Sequence, residues 1–286
     1  MSAARAGRAT LDAGALALSA EAVYLRERLP PTGPALTHAF PTRALRFYLT
    51  APTPCPYLPG RDERKVFAHL PISEGANIND TLSAVGFRRS QNIAYRPACE
   101  ACDACRSVRL PVGEYVFSRS ERRVLARNVD LRRHLVEAEA TVEQFELLRR
   151  YLVTRHAEGG MAEMTWPDYV AMVEDTAVRT HLIEYRTTPD EAGGPGDLVA
   201  CALVDALHDG LSLVYSFYDP ALTKRSLGSF IILDHAVQAG EAAIPYVYLG
   251  YWVQGSLKMD YKARFSPLEV LKGPNWRLLG ARDRGA

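Results

Sequence analysis

Between Leu211 and Trp252 the chain reads as a strand, a basic Gly-containing turn, a long helix and a second strand, a β-α-β unit whose turn carries the chemistry. Leu211–Tyr218 (LSLVYSFY) is apolar and aromatic, the pattern of a buried strand. Asp219-Pro220 ends it, and Lys224-Arg225-Ser226-Leu227-Gly228-Ser229 runs into an apolar-periodic helix expected over about Phe230–Ala243. Tyr246–Trp252 (YVYLGYW) is the returning strand. A basic turn with Gly228 at a helix N-terminus offers unpaired N–H groups and the positive end of the macrodipole, which together suit phosphate. An ordinary crossover with Gly228 easing the turn has the same sequence pattern, so the rest of the chain must decide.

At 286 residues the chain holds one large or two modest domains. Its net charge of +1 says little, but the distribution says more. From Gly86 to His134 there are eleven arginines against five acids and no lysine, which favours specific anion contacts through the planar guanidinium fork. No run is long enough to span a membrane as a helix, so no membrane role is expected. Five cysteines, three of them crowded between Cys99 and Cys105, are not a disulfide framework, and a cytoplasmic location is expected.

Residues 1–44 read as an extension with a helical pattern over Leu11–Leu29. Residues 45–117 form a smaller Cys-containing unit, 118–140 a basic linker, and 141–286 the main unit. In the first unit strands are expected at Lys65–Leu70, Ile93–Tyr95 and Ser107–Leu110, with a helix near Ile78–Val85. In the main unit Thr141–Gln144 and Thr165–Asp168 open two helices by capping patterns, the second with Pro167 in its first turn. Strands follow at Thr180–Arg186 and Leu198–Leu207, a turn at His208-Asp209-Gly210, then the four elements above, a short helix at Ser256–Ala263 and a last strand at Leu268–Leu271. Two helices, three antiparallel strands, a helix and a strand resemble the GNAT-type acyltransferases. That implies an α/β (α+β) fold in which two flanking strands splay to form a slot for an acyl donor. The usual coenzyme A loop has more small residues than Gly228-Ser229-Phe230 provides, leaving room for another phosphate-bearing donor.

Longer motifs narrow the resemblance. Cys55-Pro56-Tyr57-Leu58-Pro59-Gly60-Arg61, Gly86-Phe87-Arg88-Arg89-Ser90, Tyr95–Cys105 (YRPACEACDAC), Phe217-Tyr218-Asp219-Pro220, Arg225-Ser226-Leu227-Gly228, Tyr248–Trp252 and Lys258-Met259-Asp260-Tyr261-Lys262 together resemble the arginyl-tRNA–protein transferase family, in its bacterial leucyltransferase branch. The resemblance implies transfer of an amino acid, leucine in this branch, from aminoacyl-tRNA to the α-amine of proteins beginning with Asp or Glu, which marks them for degradation. An arginyl donor and a coenzyme A-dependent N-acetyltransferase are the alternative enzymes; a non-catalytic RNA-binding module is the alternative of another class.

An aminoacyl ester is already activated and an N-terminal amine has a pKa of roughly 7.7–8.0, so positioning and oxyanion donors should carry the catalysis, with no triad and no cofactor required for the chemistry. The slot between Leu211–Tyr218 and Tyr246–Trp252 is the expected reaction centre. Tyr248 and Tyr251 are the candidate proton donors to the leaving ribose, and Gly250 the point of close ligand approach. Strand alternation puts Tyr246, Tyr248 and Trp252 on one face and Tyr251 on the other. For the acidic N-terminus, Arg61, Arg88 and Arg89 are favoured over Arg96 and Arg109. For tRNA, Arg119, Arg122, Arg123 and Arg127 recur at helical spacing, and Lys224, Arg225, Gly228, Lys258, Lys262 and Arg264 flank the donor site. Cys55, Cys99, Cys102 and Cys105 are candidate ligands for zinc or an iron–sulfur cluster, or else buried thiols packing a turn; relatives with a cluster pair their cysteines differently, since Leu58 stands where a second one would fall. Cys201 reads as core. Oligomeric state is left open.

Overall fold

The computed structural model describes residues 44–155, 161–189 and 194–284, so the expected N-terminal helix over Leu11–Leu29 lies outside the described residues. The strands are β1 (Tyr48–Leu49), β2 (Thr53–Pro54), β3 (Asp62–Glu63), β4 (Lys65–His69), β5 (Arg88–Ser90), β6 (Ile93–Pro97), β7 (Cys105–Pro111), β8 (Arg132–Glu137), β9 (Thr180–Arg186), β10 (Leu198–Ala206), β11 (Gly210–Tyr218), β12 (Tyr246–Val253), β13 (Glu269–Lys272) and β14 (Asn275–Leu278). The helices are α1 (Gly75–Ala84), α2 (Arg119–Arg127), α3 (Val142–Arg155), α4 (Trp166–Glu174) and α5 (Leu227–Glu241). The order α3-α4-β9-β10-β11-α5-β12 is the one expected of a GNAT-type acyltransferase.

An eight-stranded sheet, β14-β13-β7-β12-β11-β10-β9-β8, forms the body. A four-stranded sheet, β1-β4-β6-β5, and the β2–β3 ribbon form the smaller unit. The smaller unit does not stand apart, because its strand β7 lies inside the large sheet beside β12. The stretch 118–140, expected to be a basic linker, instead carries α2 and the edge strand β8, which pairs with β9. The expected short helix at Ser256–Ala263 is a single 3-10 turn over Asp260–Arg264, and β14 is a hairpin partner that the half-polar Asn275-Trp276-Arg277-Leu278 does not announce.

Continuous apolar character in β10 follows from burial on both faces. Ala200, Ala202 and Val204 join the core under α5 with Ile231 and Ala236. Cys201 and Leu203 join Leu148, Leu152 and Tyr169 of α3 and α4 on the other side, so Cys201 is core, as expected. Thr141 and Gln144 exchange side-chain and backbone hydrogen bonds, as do Thr165 and Asp168, so both capping patterns form.

A buried ion pair fastens the small sheet to the large one. Arg89 Nε and Nη2 donate to the two oxygens of Asp205, each at 2.7 Å, with both side chains 1% exposed. Nη1 donates to the Gln91 carbonyl and Nη2 also to Thr180. Removing one member of such a pair strands the other charge out of water. Asp205→Ala is therefore expected to lower the unfolding free energy by about 3–5 kcal/mol, read by urea denaturation.

Candidate functional site: a wedge between two parted strands

β11 and β12 are the parallel pair in the large sheet, and they stay together only at Gly210↔Tyr246, Leu211↔Val247 and Ser212↔Tyr248. Beyond that point each strand carries a bulge on its other edge. β11 has Val214 extra against β10, and β12 has Leu249 extra against β7. Bulges bend a strand and raise its twist, so two of them at the same level drive the strands apart. The strands part where the slot was expected.

Parting the strands frees backbone carbonyls that must find donors. Arg88, reaching in from β5, donates from Nη2 to Leu213 O (2.8 Å) and Val214 O (3.2 Å) on β11. Lys262, in the 3-10 turn after β12, donates from Nζ to Tyr251 O at 2.7 Å. Gly250, at φ +78°, makes room for Arg88, because a Cβ there would sit 2.1 Å from Arg88 Nη1. Its close approach is thus to a side chain of the protein, where a ligand was expected.

At the mouth of the wedge lies the N-terminus of α5. Ser226 is left-handed (φ +55°) and caps nothing with its side chain, and a Cβ on Gly228 would press on the Tyr218 ring at 3.1 Å. The turn is clamped to α2. Arg225 forms a bidentate pair with Asp130 (2.8 and 2.7 Å), Asn128 Nδ2 donates to Arg225 O (2.9 Å), and Arg127 donates to Lys224 O. Arg119, Arg122, Arg123 and Lys224 are exposed, so the basic helix and the turn present one cationic surface. Lys258 and Arg264 are exposed beside the wedge. Lys262 is not a surface contact: it is 6% exposed and turned inward.

Tyrosines surround this mouth, a feature the sequence reading missed. Tyr151 and Tyr218 meet edge to face at 4.9 Å. Burial pushes the Tyr215 hydroxyl up to about 12, and raises Tyr151 and Tyr261 with help from the nearby Tyr218 hydroxyl. The available signal was Tyr215-Ser216-Phe217-Tyr218, with alternate aromatics at the end of a strand that leads to the phosphate turn.

The expected proton donors are placed otherwise. Tyr248 is buried with Arg109, accepts from its Nη1 (2.9 Å) and donates to Asp209 (3.0 Å). Arg109 itself lies 3.5 Å from the Tyr246 ring, 4.3 Å from Trp276, and is bound to Glu269. Tyr251 bonds the carbonyls of Gly86 (3.0 Å) and Tyr95 (3.1 Å), which ties the small sheet to β12. Burial raises both hydroxyls far above the usual tyrosine range. The bulge at Leu249 also shifts the alternation. Tyr248 and Tyr251 pair with Arg109 and Ser107 and share a face, while Trp252 crosses to the α5 side with Val247 and Leu249, contrary to the expected facing.

Of the arginines proposed for an acidic N-terminus, Arg89 is consumed by Asp205 and Arg109 by its aromatic cage, Arg88 is bonded through Nη2 to the β11 carbonyls, and Arg61 is exposed. Arg61 is exposed on a cleft of ≈ 380 Å3 that also holds Cys55, Cys99, Cys102, Cys105, Tyr57 and Arg96. Burial, then the neighbouring cysteines, pushes the Cys105 thiol up to about 12. Metal ligation needs thiolates, and among the described residues no group of three or more His, Cys, Asp or Glu side chains is arranged to hold a metal ion. Cys55, Cys99, Cys102 and Cys105 all line this one cleft. Arg88 does not line the cleft, but its charge acts on Tyr57 and Tyr251, which do, and also on Tyr261 and Lys262.

Residues 53–123 match the family described as "Arginine-tRNA-protein transferase, N terminus", and residues 143–272 match its "C terminus" counterpart. The chain is 77% identical over 248 residues to the aspartate/glutamate leucyltransferase of Phenylobacterium zucineum (strain HLK1), covering 87% of this chain and 96% of that one. It is 75% identical over 251 residues to that of Caulobacter vibrioides (strain NA1000 / CB15N), covering 88% and 90%. Among solved structures FemX aligns with a TM-score of 0.47 at 8% identity, over 76% of this chain and 72% of that one.

Lys262 yields a stability test. Burial, and then the Arg88 charge, hold its pKa well below the ordinary lysine value, whereas the unfolded chain titrates it near about 10.4. Between those two pH values the unfolded state binds a proton that the folded state does not, so the unfolding free energy rises with pH. Urea midpoints across that window should climb for the native chain, and Lys262→Met should remove that part of the slope.

Proposed function

We infer the reaction from one premise: the chain belongs to the arginine-tRNA-protein transferase family, and it shares nearly its whole described length with relatives named aspartate/glutamate leucyltransferase. The protein transfers leucine from Leu-tRNA to the α-amine of proteins whose first residue is Asp or Glu. The observation that carries the reading is the wedge, open beside the α5 N-terminus and floored by Arg88. In the reaction the acceptor nitrogen attacks the ester carbonyl carbon, the bond to the ribose oxygen breaks, and the proton lost by nitrogen ends on that oxygen.

The acceptor tRNA end lies along α2 and the α5 turn. Its phosphates meet Arg119, Arg122, Arg123, Lys224 and Lys258, and the helix N-terminus takes a phosphate near Gly228. The terminal adenosine rests against the tyrosines at the mouth, which leaves the leucyl ester in the gap. The acceptor enters by the cysteine-lined cleft, and its acidic side chain meets Arg61 first and, beyond Tyr57 and Tyr251, Arg88. Bidentate guanidinium contacts supply both charge and shape selection for carboxylate over amide. Because the ester is activated beforehand, holding the two reactants in attack geometry supplies most of the acceleration. A tRNA-borne donor and five free cysteines suit the cytoplasm.

Purified protein should move leucine from Leu-tRNA, and not arginine from Arg-tRNA, onto Asp- and Glu-initiated peptides while ignoring Lys-initiated ones. Arginine transfer at an equal rate would favour the other donor. Arg88→Gln keeps an amide donor for the β11 carbonyls but removes the charge, so the preference for Asp over Asn peptides should shrink by about 10-fold or more. An unchanged preference would remove Arg88 from acceptor recognition. Affinity for Leu-tRNA should fall on the order of 10²-fold between about 50 and about 200 mM salt, as five phosphate contacts require.

A further inference from the structure

The wedge floor contains one basic group that substrate recognition does not use. Lys262 is packed inside with its Nζ 2.7 Å from the Tyr251 carbonyl and 3.9 Å from Met259 Sδ. The charged and titratable groups around it are Arg88 from β5 and, in its own turn, Tyr261 and Asp260. Asp260 is engaged by Trp252 Nε1 at 3.0 Å, and no carboxylate bonds Lys262 among the described residues. A lysine buried without a counter-charge beside an arginine is costly as a cation and stable as an amine. An amine donating to a backbone carbonyl keeps a lone pair for whatever occupies the gap, and the same carbonyl can hold the ammonium that forms when it takes a proton.

We propose that Lys262 is the proton carrier of the transfer: its Nζ accepts the proton shed by the attacking α-amine and delivers it to the departing ribose oxygen. The nitrogen–carbon bond forms, the carbon–oxygen bond breaks, and Lys262 ends the cycle as it began. Tyr248 and Tyr251 are bound elsewhere and raised far above the usual range, which leaves Lys262 as the titratable amine held on the β12 strand just past the point where it leaves β11. Burial places its proton affinity closer to that of the nucleophile than an exposed lysine would have, the condition under which a single group serves as base and then acid. Arg88 fixes the sense of the exchange by keeping the floor cationic, so that the proton is passed on.

The inference rests on the leucyl-transfer reading, and the experiment separates the two. Single-turnover transfer from Leu-tRNA to an Asp-initiated peptide is measured for the native chain, Lys262→Met and Lys262→Arg, together with Leu-tRNA affinity and folding. Arginine can hold the Tyr251 carbonyl and bind phosphate but cannot serve as a base at neutral pH. Both variants are therefore expected to bind Leu-tRNA as the native chain does and to transfer about 10²-fold more slowly or worse. Full-rate transfer by Lys262→Arg, or a loss confined to tRNA affinity, overturns the proposal. If neither variant folds, the native pH–rate profile decides, taken with an ordinary acceptor and with one whose nucleophile has a lower pKa. An acid limb that stays in place supports Lys262, and a limb that moves wholly with the nucleophile overturns it. Failure of the native chain to transfer leucine at all would count against the reading of the reaction, not against Lys262.

Discussion

A backbone that is made to open inside a sheet must have its freed carbonyls satisfied, and here that requirement organises the molecule. Bulges at Val214 and Leu249 part β11 from β12 after three paired positions. Arg88 takes the exposed carbonyls of β11 and Lys262 takes one on β12. The two cations come from different parts of the chain, Arg88 from the small sheet and Lys262 from the turn after β12. Without them the strands would either close or bury unpaired carbonyls, each worth roughly 1–3 kcal/mol.

That dependence explains the heavy fastening between the two units. The Arg89–Asp205 pair and the Arg109 cage join segments far apart in sequence at the last paired rung of β11 and β12, and the Tyr251 hydroxyl on Gly86 and Tyr95 does so just beyond it. They hold Arg88 in place without touching a substrate. The cationic surface is fastened in a similar way, since α2 grips the α5 turn through Arg127, Asn128 and Asp130. Helix, turn and gap are thus a single rigid arrangement, which suits a reaction that depends on placing two reactants.

Much of this was legible from residues alone. Local patterns with a physical mechanism were read correctly: the Thr141 and Thr165 caps, the strand at Thr180–Arg186, and the parted strands beside a basic helix N-terminus. What failed was long-range. Nothing local in Cys105–Pro111 says that it inserts beside β12, and nothing near Arg132–Glu137 says that it forms a sheet edge. The facing of Trp252 was misjudged because one extra residue, Leu249, reverses a period-two pattern. Arg88 and Arg89 are adjacent and chemically identical, yet one lies at the gap and the other is locked on Asp205, since neighbours in a strand point to opposite faces. Lys262 was read as a phosphate contact because its burial depends on a turn folding back over β12.

The central claim is that the leucyl ester occupies the gap between the parted strands. A structure of the protein bound to a leucyl-adenosine in which an amide replaces the ester tests it most directly. The account predicts the leucyl carbonyl between β11 and β12 beside Arg88 and Lys262, with adenosine toward Tyr218 and Gly228. The analogue seated in the cysteine-lined cleft, with the strand gap empty, would contradict it.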